Sequence, residues 1–493
     1  MSRILPEGIM CGFLLSCAAG ICVAANAAPP PNRSAHDVPA SARVLMVSDI
    51  HFDPFWDPGK AAQLAAAPES RWLSILSGPA SQDRAERFAA LQKRCHANGV
   101  DTDYALLESS LRAMRTNAAG ATFATVSGDL LAHGFSCKYD AVVPHAPAAG
   151  YEAFAANTVE FVLKQLRAAL PGVPVYAALG NNDSGCGDYR LDAGGAFLRS
   201  VAPVLSADMR GEERDLARRN IARGGNYGVM LPSPIRRTRL LVIDDVFLSK
   251  NYAACGGKPD PSLAAELNAW LRSRLERARR QHEKVWVMAH IPPGFDPYST
   301  IEKMPSVCAG SPPATFLRSN ALAAIIAEFG DVVRLAIFGH THMDELRLLH
   351  QAKPGVQDAA VAMKIVPSIS PLHGNEPSFV VANVDPASAM LKNYRVIASS
   401  NQTGEAAVWS DEYDFDRAYD ATDFSPASLA RTITGFRADP GAKTAASREY
   451  LRNYYAGDAS VLLKPFWPQY TCALANDTAE RFRSCACAGS KTR

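Results

Sequence analysis

The feature that most constrains this chain is a succession of short apolar runs, each ending in a polar cluster and separated from the next by a longer stretch of helical character. Between Arg43 and about Arg395, Val44–Val47 leads into Asp49, Ala121–Val126 into Asp129, Val175–Leu179 into Asn181, Val285–Met288 into His290, and Leu335–Phe338 into His340. Short apolar runs alternating with helical stretches specify an α/β domain. In such sheets binding sites form just beyond the carboxyl ends of the strands, so the five clusters are placed to converge. The intervening helices look structural. In one of them Pro261 follows Asp260 at a first helical position, and Leu263, Leu267, Leu271 and Leu275 recur every four residues as one apolar face. With 493 residues, 48% of them hydrophobic, the chain can bury a large core. A net charge of +2 sets up no global field to attract nucleic acid or an acidic membrane, and no nucleic-acid patch is evident, so any affinity for phosphate is local.

The flanks carry different information. Arg3 precedes an apolar run from Gly8 to Ala25, and Ala25-Asn26-Ala27 has the small-x-small pattern of a signal-peptidase site, so residues 1–27 are expected to be a signal peptide cleaved after Ala27. Pro29, Pro30 and Pro31 follow at once without a basic stop-transfer flank, so no transmembrane anchor is expected after cleavage. Residues 28–42 read as a linker. Export to the periplasm, the cell exterior or an organelle lumen is implied. Outside the signal lie Cys95, Cys137, Cys186, Cys255, Cys308, Cys472, Cys485 and Cys487, an even set without the paired C-x2-C spacing of a structural zinc site. In an exported chain such a set reads as disulfides, with pairings that spacing alone does not determine. Beyond the catalytic domain, taken as 43–396, residues 397–493 read as a mainly helical C-terminal extension. Its Trp409, Tyr413, Phe415, Tyr419, Tyr450, Tyr454 and Tyr455 are expected to pack against the catalytic domain.

The strand ends supply Asp49-Ile50-His51, Gly128-Asp129, Gly180-Asn181-Asn182-Asp183, Ala289-His290 and Gly339-His340-Thr341-His342. Any one of these is weak evidence; five in order, each after an apolar run, point to metal binding by Asp49, His51, Asp129, Asn181, His290, His340 and His342. Imidazole and carboxylate donors suit zinc, iron or manganese, and a carboxylate can bridge two ions where a neutral imidazole cannot, which makes Asp129 the natural bridge. Two neighbouring cations acidify a shared water to hydroxide and neutralise the phosphate oxygens it approaches in line. Gly128, Gly180 and Gly339 sit where the backbone must bend sharply out of each strand.

These motifs resemble the calcineurin-like metallophosphoesterase superfamily over roughly Arg43 to Arg395. The strings SDIHFDP, GDLLAHG, AHIPPG, FGHTHMDEL and IVPSISP are most similar to acid sphingomyelinase and its sphingomyelinase-like phosphodiesterase relatives. The resemblance implies a β-sandwich flanked by helices. It also implies one ion held by Asp49, His51, Asp129 and His342, a second held by Asp129, Asn181, His290 and His340, and zinc as the metal. Purple acid phosphatases need a tyrosine where this chain has Ala132, which excludes that branch. His133, four residues after Asp129, matches a histidine that the sphingomyelinase branch keeps near the leaving group, and its titration range suits a proton donor.

Two departures bear on the substrate. The superfamily places histidine after the metal-binding asparagine, but this chain has Asn182, whose amide can hydrogen-bond a phosphate oxygen without serving as an acid. Either His133 alone protonates the leaving group, or the leaving group is a phosphate that departs unaided, as in the related endopolyphosphatases that share Gly-Asn-Asn-Asp. In addition, residues 28–42 leave no room for the saposin-type module of acid sphingomyelinase. The expected substrate is therefore a small phosphodiester or a phosphoanhydride such as polyphosphate, and the alternative from another class is a catalytically silent protein that binds metal or a phosphorylated ligand.

Overall fold

The fold is described from a computed structural model in which residues 41–350, 360–457, 459–476 and 478–488 are placed; the signal peptide and all but the end of the linker lie outside the described residues. Among the described residues twelve strands run in chain order: β1 (Ala42–Val47), β2 (Phe123–Val126), β3 (Val175–Ala177), β4 (Tyr227–Met230), β5 (Thr238–Val242), β6 (Lys284–Met288), β7 (Val333–Phe338), β8 (Glu345–His350), β9 (Ala360–Ile365), β10 (Ser378–Val384), β11 (Leu391–Ser399) and β12 (Trp409–Asp414). They form two mixed six-stranded sheets, ordered β12-β11-β10-β1-β2-β3 and β4-β5-β6-β7-β9-β8. The β1-β2-β3 and β5-β6-β7-β9 stretches are parallel. Strands covered on both faces read as continuous apolar runs, and β2 is buried at every position.

The two sheets share one core. Phe123 of β2 meets Trp286 of β6 with ring centroids 5.7 Å apart. Tyr227 on β4 donates its hydroxyl to the carbonyl of Ala177 on β3 at 2.9 Å. Because the parallel strands end at the same edges, their exit loops lie together, and the backbone ties them. Asp49 N–H donates to Gly128 C=O at 3.1 Å, His51 N–H to Asp129 C=O at 2.9 Å, and Gly339 N–H to His290 C=O at 2.9 Å. Across the sheets, Ser368 Oγ donates to the Asp49 carbonyl at 3.0 Å.

The helix at Ser262–Arg280 buries Leu267, Leu271 and Leu275 and half-buries Leu263, with Pro261 one position before the first helical residue. The boundary expected at 396/397 falls inside β11; after β11 comes β12, hydrogen-bonded antiparallel to it, and the chain becomes helical from Phe415. Tyr413, Phe415, Tyr419, Tyr450 and Tyr454 are buried, while Trp409 and Tyr455 are half-buried. This extension grips the chain just past the fifth cluster. Asp344, ion-paired with the fully buried Lys364, accepts from Tyr413 Oη, and Tyr470 donates to Glu345, which is paired with Arg347 at 3.0 Å. All eight expected cysteines are paired, as Cys95–Cys137, Cys186–Cys255, Cys308–Cys487 and Cys472–Cys485. Among the described residues no helix is long and apolar enough to cross a membrane.

Candidate metal centre

The exit loops turn unusually tightly. Asp49, His51, Asp129, His340 and His342 all adopt left-handed backbone conformations, with φ of 48°, 44°, 54°, 74° and 65°. Such conformations cost energy in residues with a Cβ and persist where the surroundings over-determine them, typically at functional sites. Gly128 is required for a further reason: its φ is +99°, and a Cβ there would stand 2.7 Å from His290 Nδ1. At Gly180 a Cβ would overlap the carboxylate of Asp129.

All seven residues expected from the sequence come to this edge. His51 Nε2 lies 3.1 Å from His342 Nε2, 3.6 Å from Asp49 Oδ1 and 3.4 Å from Asp129 Oδ2. His342 Nε2 is 3.6 Å from Asp49 Oδ1, and His290 Nε2 is 3.1 Å from Asp129 Oδ2. Asp129, His290 and His340 form one group of donors and Asp49, His51 and Asp129 another, with donor atoms inside each group within 4.8 Å, so Asp129 belongs to both. His51 Nδ1 is 2.8 Å from Leu131 C=O and His290 Nδ1 is 2.8 Å from Ser127 C=O. A carbonyl only accepts, so each Nδ1 carries a proton, and Nε2, which faces the carboxylates, is the atom left to a cation.

The donor set fits divalent cations. Tetrahedral ligands at Zn–N distances near 2.0–2.1 Å stand roughly 3.3 Å apart, which matches the spacings just given. Asn181 Oδ1 is buried without a hydrogen-bond partner, and His290 Nε2 has only the Asp129 carboxylate beside it, as ligand atoms would. The field has the right sign as well. Burial works against the charged form of His51 and His290, yet Asp129 and the other carboxylates lift the metal-free imidazoles to about 9 and about 10. Asp49 and Asp129 stay below the usual carboxylate range despite burial, held there chiefly by His342 and His290 respectively. Burial and the neighbouring His290 push His340 down to about 4.

A surrounding layer fixes these groups. Asp183 accepts from the backbone N–H groups of Leu130, Leu131 and Gly180 at 2.8, 3.0 and 2.8 Å, joining the loops after β2 and β3; burial, then Asp129, pushes its carboxyl up to about 7. Asp245 accepts from His290 N–H and Ile291 N–H, and burial raises it to about 7. Asn182 donates its backbone N–H to Asp129 Oδ1 at 2.8 Å and its side-chain amide to Asp129 Oδ2 at 2.9 Å. His133 stacks on His51 with ring centroids 4.0 Å apart, and the buried Asp101 meets its Nδ1 at 3.0 Å and its backbone N–H at 2.8 Å. Lys138 supports Asp101 from 3.9 Å and pairs with Asp53 at 2.7 Å. At the rim, Tyr189 Oη is 3.4 Å from His340 Nε2, and His373 packs edge-on to His342. Asp101, Asp245, Tyr189 and His373 are absent from the sequence expectation; Asp245 follows the apolar run Leu240–Ile243 and was open to the same strand-end rule, whereas the other three end no such run.

This fold and site define a metal-dependent phosphoester hydrolase. Residues 42–344, more than half of the chain, match the family described as Calcineurin-like phosphoesterase, and the protein belongs to that family. It is similar to acid sphingomyelinase-like phosphodiesterase 3b of Mus musculus, 25% identical over 413 residues that cover 81% of this chain and 80% of the mouse protein. It is also similar to the cyclic GMP-AMP phosphodiesterase SMPDL3A of Rattus norvegicus, 23% identical over 440 residues covering 86% of each chain. Among solved structures, a dimetal phosphatase from Danio rerio aligns over 72% of this chain and 95% of its own, at 12% identity and a TM-score of 0.39.

Proposed function

We propose that this protein is an exported phosphodiesterase with two divalent ions, Asp49, His51, Asp129 and His342 holding one and Asp129, Asn181, His290 and His340 the other. The observation that carries this reading is the meeting of buried and half-buried imidazole and carboxylate groups around Asp129, beside an Asn181 Oδ1 that is buried without any hydrogen-bond partner. Zinc suits the imidazole-rich donor set, with manganese or iron as the substitutes its chemistry allows. When bound, such ions supply charge neutralisation for phosphoryl oxygens and lower the pKa of water.

The chain's own residues do the rest. Asp129 lies between the two donor groups, and Asn182 holds both of its oxygens in register, which spends that amide on positioning and leaves it no role as an acid. His133 is the proton donor to the leaving group: Asp101 occupies Nδ1 and leaves the other ring nitrogen for substrate. The relatives named above as phosphodiesterases support a diester substrate, and the four disulfides support an oxidising compartment.

The test is a panel of polyphosphate, nucleoside triphosphates, cyclic nucleotides, sphingomyelin and bis(p-nitrophenyl) phosphate, run with added zinc or manganese. Hydrolysis of diesters should lead the panel and vanish with a chelator. Polyphosphate outrunning every diester would replace the diester assignment with a phosphoanhydride one, and no turnover of any substrate would favour a silent binding protein.

A further inference from the structure

We propose that Asp188 is a positioning residue for the metal centre: its carboxylate fixes the side-chain amide of Asn181 so that the amide oxygen, not the nitrogen, faces Asp129, His290 and His340. The inference rests on the reading of Asn181 as a ligand and adds how that ligand is made reliable.

An asparagine is an ambiguous ligand, because rotation by half a turn exchanges an acceptor for a donor that repels a cation. Here the choice is made by chemistry. Asn181 Nδ2 donates to Asp188 Oδ1 at 2.8 Å, and Oδ1 of the same amide is buried without a partner. Asp188 as a carboxylate only accepts. Turning the amide over would set oxygen against oxygen at that distance and put the N–H groups where the buried, unpartnered oxygen now lies. A hydrogen bond to an ionised acceptor also draws electron density toward the amide oxygen, which strengthens it as a ligand.

Asp188 is held as firmly as its task requires, though it is exposed. Tyr189 N–H donates to Asn181 C=O at 2.9 Å, Ala253 N–H to Tyr189 C=O at 3.0 Å, and Leu191 N–H to Ala253 C=O at 3.1 Å. The Cys186–Cys255 disulfide closes the same loop. Asp188 thus sits on a rigid turn whose backbone is bonded to the residue it orients.

The experiment is competitive titration of the metal-free full chain with zinc against a chromophoric chelator, in wild type and in Asp188→Ala, Asp188→Asn and Asn181→Ala. Asp188→Ala should weaken one of the two ions by roughly tenfold or more while sparing the other, the range seen when a group that orients a ligand is removed. Asp188→Asn keeps an acceptor oxygen and should restore most of the loss. Unchanged thermal unfolding of the metal-free variants shows that the turn is intact. If Asn181→Ala loses an ion and Asp188→Ala binds both as wild type does, the positioning role is wrong and the ligand assignment stands. If Asn181→Ala also binds both ions normally, the ligand assignment itself falls. Equal losses in Asp188→Ala and Asp188→Asn would mean that charge acts at a distance, which overturns the hydrogen-bonded positioning.

Discussion

Asp183 gives the sharpest prediction about how the centre is assembled. Its carboxylate receives three backbone N–H groups, two from the loop that carries Asp129 and one from Gly180, and it is 1% exposed. Asp183→Ala removes the acceptor and strands three buried donors. At about 1–3 kcal/mol for each unsatisfied buried group, and with water entering the space to recover part of the loss, the variant should be destabilised by about 3–5 kcal/mol. Asp183→Asn should cost less, about 1–3 kcal/mol, because its oxygen still serves Leu130 and Leu131 while its amide nitrogen opposes only the N–H of Gly180. The assay is denaturant unfolding of the metal-free chain, with the midpoint read at constant m-value. Both variants should also hold zinc less tightly, since the loop carrying Asp129 loses its tie to the loop carrying Asn181. An Asp183→Ala variant within about 0.5 kcal/mol of wild type, the scatter of neutral surface changes, would mean that these donors do not depend on Asp183. So would an Asn variant less stable than the Ala variant.

Other consequences can be checked alongside. His133→Ala should cut kcat/KM for an alkyl phosphodiester by roughly a hundredfold, while sparing nitrophenyl esters whose leaving group needs no proton; equal losses on both would remove His133 as the acid. Lys364→Met removes the cationic partner of the buried Asp344, and should cost about 3–5 kcal/mol in denaturant unfolding. Burial, then Asp344, pushes the Glu412 carboxyl up to about 9. A folded pKa above the ordinary carboxylate value means that its contribution is fully present below about pH 4.3 and is lost as pH rises toward about 9. Glu412→Gln should therefore gain stability relative to wild type between about pH 5 and about pH 9, and parallel pH profiles for the two proteins would contradict this.

The candidate ligands were legible because each follows a buried strand within a few residues, and a parallel sheet brings such ends to one edge. Asp49, Asp129, Asn181, His290 and His340 needed only that rule. Of the groups that hold them, Asp183 and Asp245 also follow strand ends, but the others were not legible. Asp101 lies two residues before the helix N-cap Asp103 and looks like part of a capping sequence, yet the fold carries it beneath His133. Asp188 and Tyr189 reach the site through a disulfide-closed turn whose pairing spacing does not announce. Asn182 reads as a phosphate-binding amide, but the turn after β3 directs it onto Asp129. Strand β12, Trp-Ser-Asp-Glu-Tyr-Asp, is too acidic to suggest a sheet; it becomes one as an edge strand, with Asp411 exposed and paired to Arg395 of β11.

Under the proposed function Asp129 joins two ion sites in one centre. The most direct measurement is elemental analysis of the purified protein together with Asp129→Ala, both folded and dialysed against metal-free buffer. Wild type should carry close to two transition-metal ions per chain, and the variant should lose nearly all of both. Full occupancy in Asp129→Ala, or a wild-type chain that hydrolyses phosphodiesters with no metal bound, would contradict that assignment.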